Sequence, residues 1–227
     1  MSKKVISFSL WGSDGKYTIG AIKNAHLAKK LYPDWICRFY IGKSVPDDIV
    51  SVLKSLLNTE VIEMEEDGDW TSMFWRFLAA SDPEVSIMLS RDSDSRLSFR
   101  EKVCVDEWLE SDKDFHSIRD NQGHDIAILG GMWGCRNGIL KNMNHLIDMY
   151  SKGNFWQVDQ NFLTQKIYPI VKDKMISHDD FYRHKFPNSK PIPHKKEFES
   201  EFIGKPYDQD DYSSHDGEYW NPESVWR

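Results

Sequence analysis

Two carboxylates stand one residue apart in the stretch RDSDSRLSFRE. Asp92 and Asp94 follow the apolar run Val85-Ser86-Ile87-Met88-Leu89, with Arg91 and Arg96 on either side. In extended chain, side chains two residues apart share a side, so both acids can face one ligand. Hard divalent cations such as Mg²⁺ and Mn²⁺ take oxygen ligands, commonly one or two carboxylates plus substrate phosphates. The plainer reading is an exposed acidic turn with screened arginine partners, worth little energy. The run before the acids separates the two readings. A buried strand that ends in acids is the arrangement in which open α/β sheets bind ligands, beyond the carboxyl ends of their strands.

The elements around this pair are consistent with such a sheet. Val5 to Leu10, Trp35 to Ile41, Thr59 to Met64 and Val85 to Leu89 read as strands. Thr18 to Leu31, Pro46 to Leu57 and Trp70 to Ala80 read as the helices between them. Pro33 stops the first helix, and Pro46 with Asp47 and Asp48 suits the first turn of the second. Alternation of this kind predicts a mostly parallel sheet covered on both faces. Further on, Phe99 to Leu109, Ile139 to Tyr150 and Val158 to Ile167 read as helices. Ile126 to Leu129 reads as a fifth strand leading into the Gly130-Gly131-Met132-Trp133-Gly134 run, and the residues before His178 are strand-like.

Composition narrows the function classes. The 227 residues carry 40% hydrophobic and 13% aromatic residues, enough for a core, and a formal charge of -7. With no long Lys/Arg block, a nucleic-acid partner is not expected. Cys37, Cys104 and Cys135 are widely spaced and form no CxxC pair. Neither a disulfide framework nor a zinc site is expected, and a reducing, cytoplasmic setting fits. No apolar run has the length of a signal peptide or a membrane span. The expected division is a domain over residues 1–205 and an acidic, aromatic tail over 206–227, the least ordered part.

The stretch from Arg91 to Gly138 carries D-x-D, then R-E, E-W-L, F-H-x-x-R-D and G-G-M-W-G in one order, with VDQNFL and SHDDF after it. Together these resemble the GT-A-fold nucleotide-sugar glycosyltransferases. The likeness is greatest to small ones from bacteria and large DNA viruses, including the glycosyltransferase domain of a chlorella virus, and runs from Val5 to about Phe181. The resemblance implies an α/β GT-A fold in a single domain. It also implies a Mn²⁺ or Mg²⁺ ion and transfer of a hexose or deoxyhexose from a nucleotide sugar, by preference UDP-linked. The receiving group would be a hydroxyl of a glycan or glycoprotein acceptor.

The same resemblance implies roles for individual residues. Asp94 is expected as the main metal ligand and Asp92 as a secondary or ribose ligand, with His178 as a third metal ligand. Ser9, Leu10, Trp11 and Gly12, at the first strand end, would hold the base and ribose together with Tyr17, Arg76 and Ser93. Arg119, Gly131, Trp133 and Gln160 would lie near the sugar or acceptor, and Asp159 or Asp120 would serve the chemistry. Each has a plainer alternative: core packing for Trp11, a snorkelling arginine for Arg76, a salt-bridged turn for Arg119 and Asp120, and a helix cap for Asp159. The glycines of the G-G-M-W-G run need either positive φ or close backbone approach. Two other functions stay open. A sugar-nucleotide nucleotidyltransferase would usually show a longer Gly- and Lys-rich loop than Gly12-Ser13-Asp14-Gly15-Lys16. A non-catalytic carbohydrate-binding protein would draw on the nine tryptophans.

Overall fold

The computed structural model describes residues 2–151, 153–186, 188–196 and 198–221. Strand β1 (Lys3–Leu10) is followed by helix α1 (Gly15–Leu31), β2 (Ile36–Ile41), α2 (Asp47–Ser55) and β3 (Thr59–Glu63). A run of 3₁₀ turns (Trp70–Ser81) leads to β4 (Val85–Ser90), α3 (Phe99–Glu110), β5 (Phe115–Arg119) and β6 (Trp133–Arg136). Short helices α4 (Met143–Asp148), α5 (Val158–Phe162) and α6 (Tyr168–Val171) precede β7 (Met175–Asp179) and β8 (Ser189–Lys190). A hairpin of β9 (Tyr212–Ser213) and β10 (Glu218–Tyr219) follows. The eight-stranded sheet has the order β3-β2-β1-β4-β6-β5-β7-β8. All pairings are parallel except those of β6 with β4 and β5.

The chain builds outward from β1 in one direction with β2 and β3, then crosses to the other side with β4. The carboxyl ends of β1 and β4 therefore flank a topological switch point, where an open α/β sheet leaves a crevice. Two apolar layers cover the sheet. One packs Phe74, Phe77, Trp133 and Phe162, and the other packs Phe8, Phe39, Leu53 and Trp108.

Three expectations change. The 70–81 segment forms 3₁₀ turns instead of a regular helix. The hydroxyls of Ser7 and Ser9 on β1 donate to the carbonyls of Arg76 and Met73, and Ser9 accepts from the Arg76 N–H. Those backbone groups thus bond across to the sheet rather than along a helix. Ile126 to Leu129 is a bend, not a strand, and the strands of that region are β5 and β6. Within Ile139 to Tyr150, only Met143–Asp148 is helical.

Residues 206–221 pack against the acid loop. The Tyr207 N–H donates to Asp94 O at 2.8 Å, and Pro206 bridges to Ser95. The Arg96 guanidinium, its side chain wholly buried, donates to Asp211 Oδ1 at 2.9 Å and Asp208 O at 2.8 Å. The rest of the expected tail, 222–227, lies outside the described residues. No helix among the described residues is long and apolar enough to cross a membrane. The three cysteines are buried and free.

Candidate active site

The alternation of charge in RDSDSR is a division of labour. Arg91 turns inward, donating to Glu101 Oε1 at 2.8 Å and to the carbonyls of Ser90 and Trp133. Arg96 ties the other end to 208–211. Between them, the Asn24 side-chain amide holds the carbonyls of Ser93 and Ser95 at 3.2 and 2.8 Å and accepts from the Leu97 N–H. With its backbone fixed at both ends and in the middle, the loop presents Asp92, Ser93 and Asp94 to a cavity of about 300 Å³.

That cavity sits at the switch point. Ser9, Leu10 and Trp11 line it from the end of β1, and Tyr17 from the start of α1. Asp14 caps α1 by accepting from the Lys16 N–H at 2.9 Å, which starts the helix three residues earlier than the apolar stripe indicated. Lys16 Nζ then meets Asp94 Oδ2 at 2.9 Å. Trp11 packs on Gly68, which has φ +105 and no side chain to obstruct it. Its ring meets Trp70 edge-on at 6.5 Å.

Arg76 joins the two groups of acids. Its guanidinium donates to Asp92 Oδ1 and, at 2.8 Å, to Asp159 Oδ2. Asp159 Oδ1 accepts from the Gln160 N–H at 2.8 Å, and Gln160 lines the same cavity. The glycine run answers to close approach, since none of its three glycines has positive φ. A Cβ on Gly131 would overlap the Asp92 carboxylate. One on Gly130 would overlap Asp159 and lie 2.6 Å from Arg76 Nη2.

The charges in this cluster do not balance. Three carboxylates, Asp92, Asp94 and Asp159, meet two cations, Arg76 and Lys16. Burial, and then the neighbouring Asp92 charge, push the Asp94 carboxyl above its ordinary range, against the pull of Lys16. Burial likewise raises Asp159, with Arg76 opposing it. Asp92 and Asp94 are oxygen donors that could hold a hard divalent cation. Among the described residues no group of three or more His, Cys, Asp or Glu side chains is gathered to hold a metal. The protein would therefore supply a partial shell and leave positions for phosphate and water, the usual habit of Mg²⁺.

Five of the expected site residues lie elsewhere than on this wall. Trp133 is fully buried, stacked on Phe115 at 5.3 Å and edge-on to Phe77, so its ring is core. Arg119 is committed to Asp179 at 2.6 Å and to Ala127 O. Asp120 is fully buried in a two-point pair with Arg100. His178 is fully buried between His116, at 2.8 Å, and Glu107, at 3.2 Å, and does not join Asp92 and Asp94. Gly12 takes φ +72 and donates its N–H to Ser44 Oγ at 2.7 Å, shaping the loop beside the cavity.

Other lining residues carried no spacing signal: Trp70, Met73, His124, Trp156, and Gly204 and Pro206 from the C-terminal segment. His124 Nδ1 accepts the Asp120 N–H at 3.1 Å, so the proton sits on Nε2 and makes that atom a donor, not a metal ligand. Burial lowers His124 from 6.5 to about 4. Burial also lowers His178, against Glu107, and lowers His116 well below the ordinary value, with His178 adding to the effect. The unfolded chain binds protons near pH 6.5 that these folded rings refuse. Stability is thus at its full value above that pH and falls as pH drops toward about 4. Thermal melts across this range are expected to show the decline, and His124→Gln to flatten part of it. An identical slope in that variant would assign the decline to other groups.

No protein-family model and no curated protein sequence matches the chain. Solved structures share its fold. A glycosyltransferase involved in the glycosylation of the major capsid of PBCV-1 superimposes with a TM-score of 0.52, over 78% of this chain and 81% of its own, at 17% identity. Glucosyl-3-phosphoglycerate synthase from Mycobacterium tuberculosis, in complex with Mn²⁺, UDP and glucosyl-3-phosphoglycerate, gives 0.51, over 78% and 69%, at 12% identity. The 4-diphosphocytidyl-2C-methyl-D-erythritol synthase of Anaerococcus prevotii gives 0.53, over 83% and 94%, at 10% identity. The chain has the α/β GT-A fold, on which both sugar-transferring and nucleotidyl-transferring enzymes are built.

Proposed function

We propose that the protein is a metal-dependent glycosyltransferase that moves a sugar from a nucleoside-diphosphate donor, by preference UDP-linked, to a hydroxyl of a glycan or glycoprotein acceptor. The observation that carries this reading is the meeting, in one crevice at the switch point, of the Asp92/Asp94 pair with Arg76, Asp159 and Gln160. Asp94 and Asp92 would hold a Mn²⁺ or Mg²⁺ ion, which would supply Lewis acidity to the departing nucleoside diphosphate. Trp11, Trp70 and Tyr17 provide flat apolar surface for a base, with Ser9 and Ser93 beside it. Arg76 places a positive charge between Asp92 and Asp159 and opposes the upward push of burial on the Asp159 carboxyl. Asp159 is the carboxylate proposed to face the anomeric carbon, where it offsets positive charge or accepts a proton. A solved structure of the same fold binds UDP with Mn²⁺, which supports the donor class.

The tail from Pro206 belongs to this reading as part of the site, through its hold on Asp94 and Arg96. The fold also serves nucleotidyltransferases, so the assay needs two arms. UDP-sugars with Mn²⁺ are expected to release UDP, and UTP with sugar 1-phosphates to release no pyrophosphate. Lys16, in the first turn of α1 after the β1 loop, is paired to Asp94, which favours the first outcome.

Metal dependence gives a further prediction. UDP with Mn²⁺, at about 100 times the dissociation constant, is expected to stabilise the fold by about 2.7 kcal/mol. That raises Tm by roughly 5–11 °C for a chain of this size. UDP alone should do far less. Excess EDTA should abolish turnover and Mn²⁺ restore it, and Asp94→Asn should lose turnover with its fold intact. Full activity in chelator, or equal shifts with and without metal, would contradict the metal bridge.

A further inference from the structure

The aromatic residues around the cavity fall into two groups. Trp11 and Trp70 are paired with each other at the end of β1. Trp156 lines the same cavity, is 64% exposed, and among the described residues has no hydrogen bond or ring contact with another side chain. Tryptophan combines a large apolar face with tolerance of a wet edge, so an indole open beside a polar cleft suits a ligand that is apolar on one face and polar at its rim.

The loop that carries Trp156 is tied to the chemistry. Phe155 folds back over Gly153, where an added Cβ would meet its ring at 2.6 Å. The Phe155 carbonyl accepts from the Val158 N–H at 3.1 Å, and the Gln157 carbonyl from the Asn161 N–H at 3.1 Å. The loop therefore runs directly into α5, whose first turn carries Asp159 and Gln160. Trp156 stands three residues before Asp159.

We infer that Trp156 and Gln160 form an acceptor subsite, with the indole stacking on a pyranose ring and the carboxamide bonding its hydroxyl edge, so that the acceptor is a carbohydrate. The assignment rests on the glycosyltransferase reading. A pyranose has an apolar C–H face and a rim of hydroxyls. A flat indole beside a carboxamide, which both donates and accepts, matches those two features. Among the described residues lining the cavity the one Lys or Arg is Arg76, already held by Asp92 and Asp159, and a base already has the two indoles and Tyr17 at the other group.

The test separates this subsite from the overall reading. Saturation-transfer NMR with cellotriose, maltotriose and chitotriose, in the absence of any donor, reports the sugar contact alone. Calorimetry with UDP and Mn²⁺ reports the donor site alone. The wild type is expected to transfer magnetisation to pyranose C–H protons of at least one of the three. Trp156→Ala should weaken that binding about tenfold, Trp156→Phe should largely keep it, and UDP binding should be unchanged in both. A Trp156→Ala variant with undiminished sugar contact overturns the subsite, as does the absence of contact with all three sugars. Loss of UDP affinity in that variant would make Trp156 a base platform and overturn it too. Failure of UDP to bind the wild type would count against the glycosyltransferase reading while leaving the sugar contact to stand or fall by itself.

Discussion

Asp159→Asn is expected to slow sugar transfer by roughly 10²- to 10⁴-fold, the range for a positioned acid or base, while UDP still binds with Mn²⁺. The expectation follows from what surrounds the carboxylate. Asp159 sits in the first turn of α5, almost fully buried, with Arg76 Nη2 on one oxygen and the Gln160 N–H on the other. Asparagine keeps the shape and one acceptor but removes the charge. Nucleotide contacts proposed for Trp11, Tyr17 and the Asp92/Asp94 pair are untouched, so binding is preserved. An interaction made only in the transition state lowers kcat and kcat/KM together. Burial holds the Asp159 pKa up, and the ionised form is the working one. Transfer should therefore rise with pH through that group, and the limb should vanish in the variant. Transfer at the wild-type rate in Asp159→Asn would remove the residue from the chemistry. An equal loss of nucleotide affinity would make it a binding group acting through Arg76.

Most of the first half of the fold was legible because β1, β2 and β4 are largely apolar and Pro or Gly stands in the turns between elements. Val85 to Leu89 and the acids beyond it could be read directly. In the second half the strand-like residues before His178 are β7, but β5 was hidden by polar residues. β5 is Phe115-His116-Ser117-Ile118-Arg119, three of its five side chains polar, yet all five are buried. Each polar residue is matched from β7: Ser117 with Ser177 at 2.8 Å, Arg119 with Asp179, and His116 with His178. Hydrophobic periodicity cannot reveal a strand whose burial is made possible by cross-strand polar pairs. Ile126 to Leu129 erred in the opposite direction, an apolar run whose Ala127 carbonyl serves Arg119 from a bend. In the site, the acid pair declared itself by spacing. Lys16 and Trp156 did not, because their meaning lies in what the fold brings to them from residues 78 and 3–4 positions away, Asp94 and the start of α5.

Asp120 shows the same limit in an acid. By type and by its Arg neighbour it was a candidate for the chemistry, second to Asp159, yet it is expected to act on stability. It is fully buried, and four donors converge on it. Arg100 Nε and Nη2 reach its two oxygens at 2.9 and 2.8 Å, the Ile203 N–H lies at 3.0 Å, and Lys196 Nζ at 3.2 Å. The carboxylate thus fastens α3 and the segment around Ile203, just before the tail, to the end of β5. Asparagine would keep one acceptor but turn a donor toward the guanidinium, leaving Asp180 as the carboxylate still paired with Arg100. Breaking a buried pair from one side costs about 3–5 kcal/mol, or roughly 6–20 °C in Tm at this chain length. Asp120→Asn should show that loss by urea or thermal unfolding, with transfer per folded molecule close to wild type at low temperature. The double variant Arg100→Met/Asp120→Leu should lose less than the two single changes summed, because neither charge is left buried without its partner. A stable Asp120→Asn protein with transfer reduced 100-fold or more, by about the margin expected of a general acid or base, would reverse the assignment and return Asp120 to the chemistry.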